Sequence, residues 1–449
     1  MMANGVGYSI AYYIAVFITV LLIAVLMYGL TIFAWDSPVE LRMLDVMLRL
    51  RPAPPPNAQI VVLAIDEKTT VELGALPWSR AVHARILNAL RQAGAGLIVY
   101  DVLMDSPDST HPGADSIFWR AMVSKKDVYL PMIYDPLRGD SWSVSDIRRL
   151  IYLERHVLTQ RIMYPTGALI YHYYYFVPPW ADFTSSAAGV GVNVLSSDSK
   201  IVREAQLAYL TRVEYPVPSS LLPRTMVVPK LIDQIVVVQG LPLIVARRWL
   251  AVSKEDTEVV IGRSIRFLSE YGAQRSIPID EYGRMIINYS GPANTYQHFS
   301  AVDLLEGRVS RSMLANKIVI VGVTDPNASS MVSTPYGPMS PPEVTANSIG
   351  TILNGSFIVR RREDALLALL VTGVLLSMLL PFVPPRAMGP TSLAVPVTYL
   401  IIGLIVLAIS GHVVPLIPGI VLCILAVVFT GFVQLAFLSS EVEDTVLED

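Results

Sequence analysis

The sequence predicts four transmembrane α-helices, one N-terminal and three C-terminal, carrying an extracytoplasmic α/β domain with a mostly parallel sheet. Two observations predict this. Four apolar stretches, Ile10–Ala34, Ala365–Val383, Thr391–Ser410 and Val413–Leu438, contain no Asp, Glu, Lys or Arg. Each supplies the roughly 20 residues that a ~30 Å hydrocarbon core requires. Between the first and second lies a long segment of ordinary globular composition, where short apolar runs ending on an acid alternate with a helical pattern. That is how parallel strands buried on both faces read in a sequence. The first stretch lacks a basic leading region and is longer than a signal peptide's apolar core, so it is expected to stay as an anchor.

Charge bounds the partners and the orientation. The chain is 53% hydrophobic and 16% charged, with the apolar excess in the four stretches, and its net charge is −3. No block of Lys and Arg tracks a phosphate backbone, so nucleic acid is not an expected partner. The one cysteine, Cys423, falls in the last stretch, so the domain can form no disulfide. The loop Pro384–Pro390 carries Arg386 and no acid, which puts it in the cytoplasm. Residues 36–362 are then outside and 439–449 form a short cytoplasmic acidic tail of a multi-pass protein of the cytoplasmic membrane. Arg42, Arg49, Arg51 and Arg360 to Arg362 would lie outside and weigh the other way, although long domains translocate largely regardless of charge. The tail is far shorter than a domain needs, so an effector is expected on a separate protein, or else beyond the end of a shortened chain.

Within the segment, Leu41 to Leu50 reads as a helix leaving the membrane, and Arg51-Pro52-Ala53-Pro54-Pro55-Pro56 as a stiff linker. Ile60 to Ile65 is a continuous apolar run closed by Asp66. Ser79 is the expected N-cap of a helix that ends near Gly94. Leu97 to Tyr100 repeats the buried-strand pattern and ends on Asp101, giving a βαβ unit. Lys317 to Thr324 is a third such strand, followed by a helix over Pro342 to Leu353 that Gly355 stops. Val128 to Ile133 and Met285 to Tyr289 read as strands and Asp140 to Gln160 as helical. The aromatic run Tyr171 to Phe176, if a strand, gives an aromatic face expected to pack in the core or sheet, with a partner contact or binding cage as the alternative.

These residues carry a resemblance. Ile65-Asp66-Glu67, Leu73-Gly74-Ala75-Leu76-Pro77-Trp78-Ser79-Arg80, Ala93 to Asp101, Ala188-Gly189-Val190-Gly191-Val192-Asn193 and Arg203 occur in the order found in the CHASE2 family. So do Ile287 to Pro292, Asn316 to Thr324, Thr334-Pro335 and Ala346-Asn347. The sequence resembles that family over Asp36 to Arg362, and the one-plus-three spans match it. Ser79 stands where a proline is common, and Ser340-Pro341-Pro342-Glu343-Val344 replaces a Pro-Gly-Val-Glu-like turn. The resemblance implies an extracytoplasmic sensory module, normally fused after its last span to a cyclase or kinase.

Asp66, Asp101, Gly322 and Thr324 close three strands, so they are expected at the carboxyl edge of the sheet, where open α/β folds bind ligands. Trp78 and Arg80 follow the first strand. These six are the candidate ligand-binding residues. Each acid can equally cap the segment that follows it, and Arg80 is expected to form an ion pair with Asp66 or Asp101. Asp101 with Asp105 is too small a set for a metal. No histidine pair, dinucleotide fingerprint, phosphate loop or nucleophile elbow occurs, so no catalytic residue, metal or cofactor is expected. Asn288, Asn327 and Asn354 head glycosylation sequons. Gly373-x-x-x-Ser377 offers a small-residue face for helix packing, with a homo-oligomer or a separate effector as the expected partner.

The expected function is a sensory input protein. Its external domain detects a small ligand or an external protein and signals through the bilayer bundle. An envelope assembly protein on the same fold is the alternative, and an enzyme using Asp66 and Asp101 the third class.

Overall fold

The computed structural model describes residues 10–134, 152–165, 176–193, 201–212, 235–269 and 272–448. Most of the helical reading over Asp140 to Gln160, and the aromatic run up to Tyr175, lie outside them. The chain divides into two compact units, Met1–Pro52 with Ile358–Asp449, and Ala53–Phe357.

The first unit is helical. Among the described residues four helices are long and apolar enough to cross a membrane, over Ile10–Thr31, Arg362–Phe382, Pro385–Ser410 and Leu416–Phe437. The second begins at Arg362 rather than Ala365 because Glu363 and Asp364 occupy its first turn, where acids are favoured by the helix dipole. The fourth begins at Leu416 rather than Val413, because the Val413 amide donates to the Val359 carbonyl at 2.9 Å. It then runs unbroken to Glu448. Gly373 and Ser377 do not offer a face to a second molecule: both are buried, and a Cβ on Gly373 would stand 2.8 Å from the Cβ of Ala24 in the first span. The small residues let two spans of one chain approach closely.

Polar contacts tie the ends of these helices together. Arg360 donates to Asp36 at 2.9 Å and stacks on Trp35 with its guanidinium carbon 4.4 Å from the ring centroid. Asp364 and His412 are 2.8 Å apart. Ser37 caps the short helix Pro38–Leu50, whose Glu40 accepts from the amides of Leu416 and Ile417 at 2.7 and 2.8 Å. These are the first amides of the fourth span, which have no partner within their own helix. A carboxylate from elsewhere in the chain satisfies them.

The second unit is built on a sheet of β1 (Ile60–Ile65), β2 (Leu97–Asp101), β3 (Val128–Tyr134), β4 (Phe176–Val177), β5 (Gly189–Val192), β6 (Gln297–Ser300) and β7 (Ile318–Val323). The order is β6-β1-β7-β2-β3, with β5 parallel and β4 antiparallel to β3, and all other pairings are parallel. β7 thus lies between β1 and β2. Alternation sends Val61, Leu63, Ile65, Ile98, Tyr100 and Val319 to one core, and Ile60, Val62, Val99, Ile318 and Ile320 to the other. Helices Arg80–Gln92 and Ala114–Val123 cover the first face, and Leu241–Trp249 and Pro341–Asn354 the second. Burial on both faces is why these strands read as continuous apolar runs. A third core lies around a four-stranded sheet of Ile162–Met163, Thr257–Val260, Ser264–Ser269 and Gly272–Pro278.

Candidate functional site

The structure brings Asp66, Asp101, Gly322 and Thr324 to one edge of the sheet, the carboxyl ends of β1, β2 and β7. Their side chains are largely engaged there. Asp66 is the N-cap of helix Glu67–Leu73. Its Oδ1 accepts from the Thr69 amide at 2.9 Å, the Thr69 hydroxyl at 2.6 Å and the Ser300 hydroxyl at 2.8 Å. Gly322 leaves room for the helix that follows: a Cβ there would stand 2.4 Å from Cγ of Pro342. The Thr324 amide donates to the Ile65 carbonyl at 3.0 Å. Asp325, which the sequence reading passed over, is buried beside it and accepts from the Thr70 hydroxyl at 3.0 Å.

Asp101 differs from the others. Asn193 donates to its Oδ1 at 2.8 Å and Thr345 to its Oδ2 at 3.2 Å, both neutral groups. Burial pushes its carboxyl above the usual range, and these two hydrogen bonds only partly offset that.

The expected ion pair of Arg80 with Asp66 or Asp101 does not form. Arg80 turns the other way, with Nε 3.6 Å from Asp115 and Nη2 donating to the Ser106 carbonyl at 3.2 Å. Its amide donates to Asp108 at 3.2 Å. The reason is local: Ser79 caps its helix, so Arg80 is the first helical residue and lies over the 105–115 loop. Trp78 belongs to the core. It is 6% exposed, and its Nε1 donates to the Gly74 carbonyl at 2.6 Å. His83, buried nearby and 2.8 Å from the Tyr100 hydroxyl, is held neutral. Desolvation lowers its pKa to about 4, with Arg80 adding to the effect. Among the described residues no three of His, Cys, Asp and Glu are grouped to hold a metal. Asn288, the first sequon, is buried and donates to the Ser356 carbonyl at 2.7 Å, so it is closed to a glycan.

The opposite edge holds a cavity of about 320 Å³, at the amino ends of β3 and β5. Lys126, Arg155, Arg247, Arg248, Lys254 and His156 line it, with no Asp or Glu among the described lining residues. Tyr129 and Gln239, both buried, form part of its wall. Gly189 lets β5 fit between Tyr129 and Ile244, since a Cβ there would stand 2.7 and 2.8 Å from their side chains. Arg247 is nearly buried, and its donors meet neutral acceptors: Nε the Gln239 amide oxygen at 3.3 Å, Nη1 the Val252 carbonyl at 2.9 Å. Burial depresses the Lys254 ammonium, and Arg247 depresses it further. Burial also lowers His156 to about 4, with Lys254, Arg155 and Lys126 contributing against a hydrogen bond to the Thr184 carbonyl. The sequence reading missed this cluster. Its residues come from four separated segments, and Arg247 and Arg248 in the last turn of Leu241–Trp249 look like ordinary dipole-matched helix ends.

Fold and site together define a membrane protein built around an inserted α/β domain that carries a strongly cationic cavity. The CHASE2 domain model matches residues 17–381, over four-fifths of the chain. The chain belongs to the CHASE2 family, a family of sensory domains, as its motifs suggested. No curated protein and no solved structure matches it.

Proposed function

We propose that this protein is a signal-input component of the cytoplasmic membrane. Its α/β unit lies outside the cytoplasm, takes up a ligand, and passes the resulting change through the bundle to an effector on a separate chain. The observation that supports this reading most is the way the sensory unit is inserted. Its two chain connections, at Pro52 and Ile358, run into segments locked to each other and to the fourth span, through Arg360 with Asp36 and Glu40 with Leu416. A displacement at those connections acts on the start of a helix that continues unbroken to Glu448. Such coupling requires a two-state element that both ends bias.

In this reading the ligand enters the cationic cavity rather than the carboxyl edge, where Asp66, Trp78 and Gly322 already serve as cap, core and helix contact. Asp101 and Thr324 at that edge then belong to the frame that the ligand repositions, with Arg80 fixing the 105–115 loop. The test is the state of the purified chain in mild detergent. A signal that leaves through the spans needs a neighbour, so the protein is expected to run larger than one 49.3 kDa chain after the micelle is subtracted, as an oligomer or with a membrane partner. A strict monomer with no companion would contradict this and favour an envelope-anchoring role.

A further inference from the structure

We propose that the cavity at the amino ends of β3 and β5 is a binding site for a small, multiply charged anion, a phosphorylated or polycarboxylate compound. The inference rests on the sensory reading and names the ligand class of its site. Five basic side chains, three of them arginines, converge on about 320 Å³ with no carboxylate among the described lining residues, in a chain whose net charge is −3. Among the described residues none of the five forms an ion pair. Two acids next in sequence to lining residues are otherwise placed. Asp127 is held by Arg91 at 2.6 Å and lies 3.4 Å from Lys125, while Glu255 acts on Arg247 and Lys254 from an exposed position outside the lining.

Concentrating like charge in a partly desolvated hollow is unfavourable unless something neutralises it. Arg247 shows the imbalance most sharply: it is nearly buried, two of its three nitrogens donate to neutral oxygens, and Nη2 meets no acceptor among the described residues. A guanidinium edge of that kind suits a carboxylate or phosphate oxygen. The exposed Lys126, Arg155 and Arg248 can close on other oxygens of the same molecule. The volume lies at the small end of ligand sites, which favours a compact polyanion over a chain or a polymer. The Tyr129 ring and Ile244 add an apolar wall, which a bare monatomic anion would not use.

The test is isothermal titration of the full chain in mild detergent at constant ionic strength, with pyrophosphate and with citrate as probes and acetate as the singly charged control. At least one of the two polyanions is expected to bind at one site per chain, at least tenfold tighter than acetate. Which of them binds decides between phosphate and carboxylate recognition. Arg248→Gln and Lys126→Gln, both at exposed positions, should each weaken binding severalfold, and Arg247→Gln more than tenfold. Arg266→Gln, outside the cavity and paired with Glu258, should leave it unchanged. If Arg247→Gln fails to fold, the two exposed variants decide. Absence of heat from both polyanions, or binding that Arg248→Gln and Lys126→Gln leave intact, would overturn the proposal. A silent cavity in a protein that still purifies with its membrane partner would leave the sensory reading standing with a different ligand.

Discussion

Replacing Glu40 by alanine removes the carboxylate that holds the first two amides of the fourth span. Glu40 is 3% exposed, and both of its oxygens accept, from Leu416 at 2.7 Å and Ile417 at 2.8 Å. Hydrogen bonds to a charged group contribute ~1.5–3 kcal/mol each. An anion at a helix N-terminus adds ~0.3–2 kcal/mol. Alanine also leaves the Leu416 amide unpaired in a buried position, while water entry and relaxation recover part of the loss. The expected cost is about 3–5 kcal/mol, in the range of breaking a buried charged contact. For a unit of this size it corresponds to a fall in Tm of roughly 10 °C. The bundle contains its own reporter, since Cys423 is the only cysteine and is fully buried among Tyr12, Val16 and Val427. A thiol-reactive dye that fluoresces on coupling therefore reads bundle opening during a thermal ramp in detergent. Glu40→Gln, which keeps one acceptor, should lie about midway. A Glu40→Ala protein that exposes Cys423 within a degree or two of the parent would refute the role of this contact.

Gly322→Ala places a methyl group 2.4 Å from Pro342 Cγ, and overpacking of this kind costs ~1–3 kcal/mol. Unfolding of the variant should show that loss, and unchanged stability would mean that the helix contact does not need the glycine. His83 predicts a pH dependence. Its folded pKa is lowered to about 4 from 6.5, so between those values the unfolded chain binds a proton that the folded one refuses. Stability therefore falls as pH drops from 6.5 to about 4, by ~3 kcal/mol from this residue alone, and is fully retained above 6.5. His83→Gln should flatten the slope of stability against pH in that window, and an unaltered slope would contradict the assignment.

The parts of the structure that the sequence makes legible are those whose cause is local or periodic. The spans show as uncharged stretches of membrane length, and β1, β2 and β7 as apolar runs, because a strand covered by helices on both faces has no polar side to display. Ser79 and Gly355 mark helix ends because capping and left-handed backbone are one-residue problems. The insertion of β7 between β1 and β2 leaves no local trace, since pairing across more than 200 residues is decided by packing. Arg80 shows a related limit: a strand-end acid and a nearby arginine suggest a pair, but the cap at Ser79 sets the helix phase and sends the guanidinium to Asp115. The cationic cavity was hidden most completely, because Lys126, Arg155, Arg247 and Lys254 are unremarkable one at a time and acquire meaning only when the sheet brings their segments together. Gly373 was visible as a packing residue, but its partner, Ala24 of the same chain, was not.

Side-specific labelling in intact cells reads directly whether the α/β unit receives its signal outside the cytoplasm. In a Cys423→Ser background, single cysteines replace Ser109 on the exposed 105–115 loop or Ser440 in the extension of the fourth span beyond Phe437, and the cells are treated with a membrane-impermeant thiol reagent. The Ser109 position is expected to react and the Ser440 position to stay protected until the membrane is permeabilised; reaction at Ser440 with protection at Ser109 would put the sensory unit in the cytoplasm.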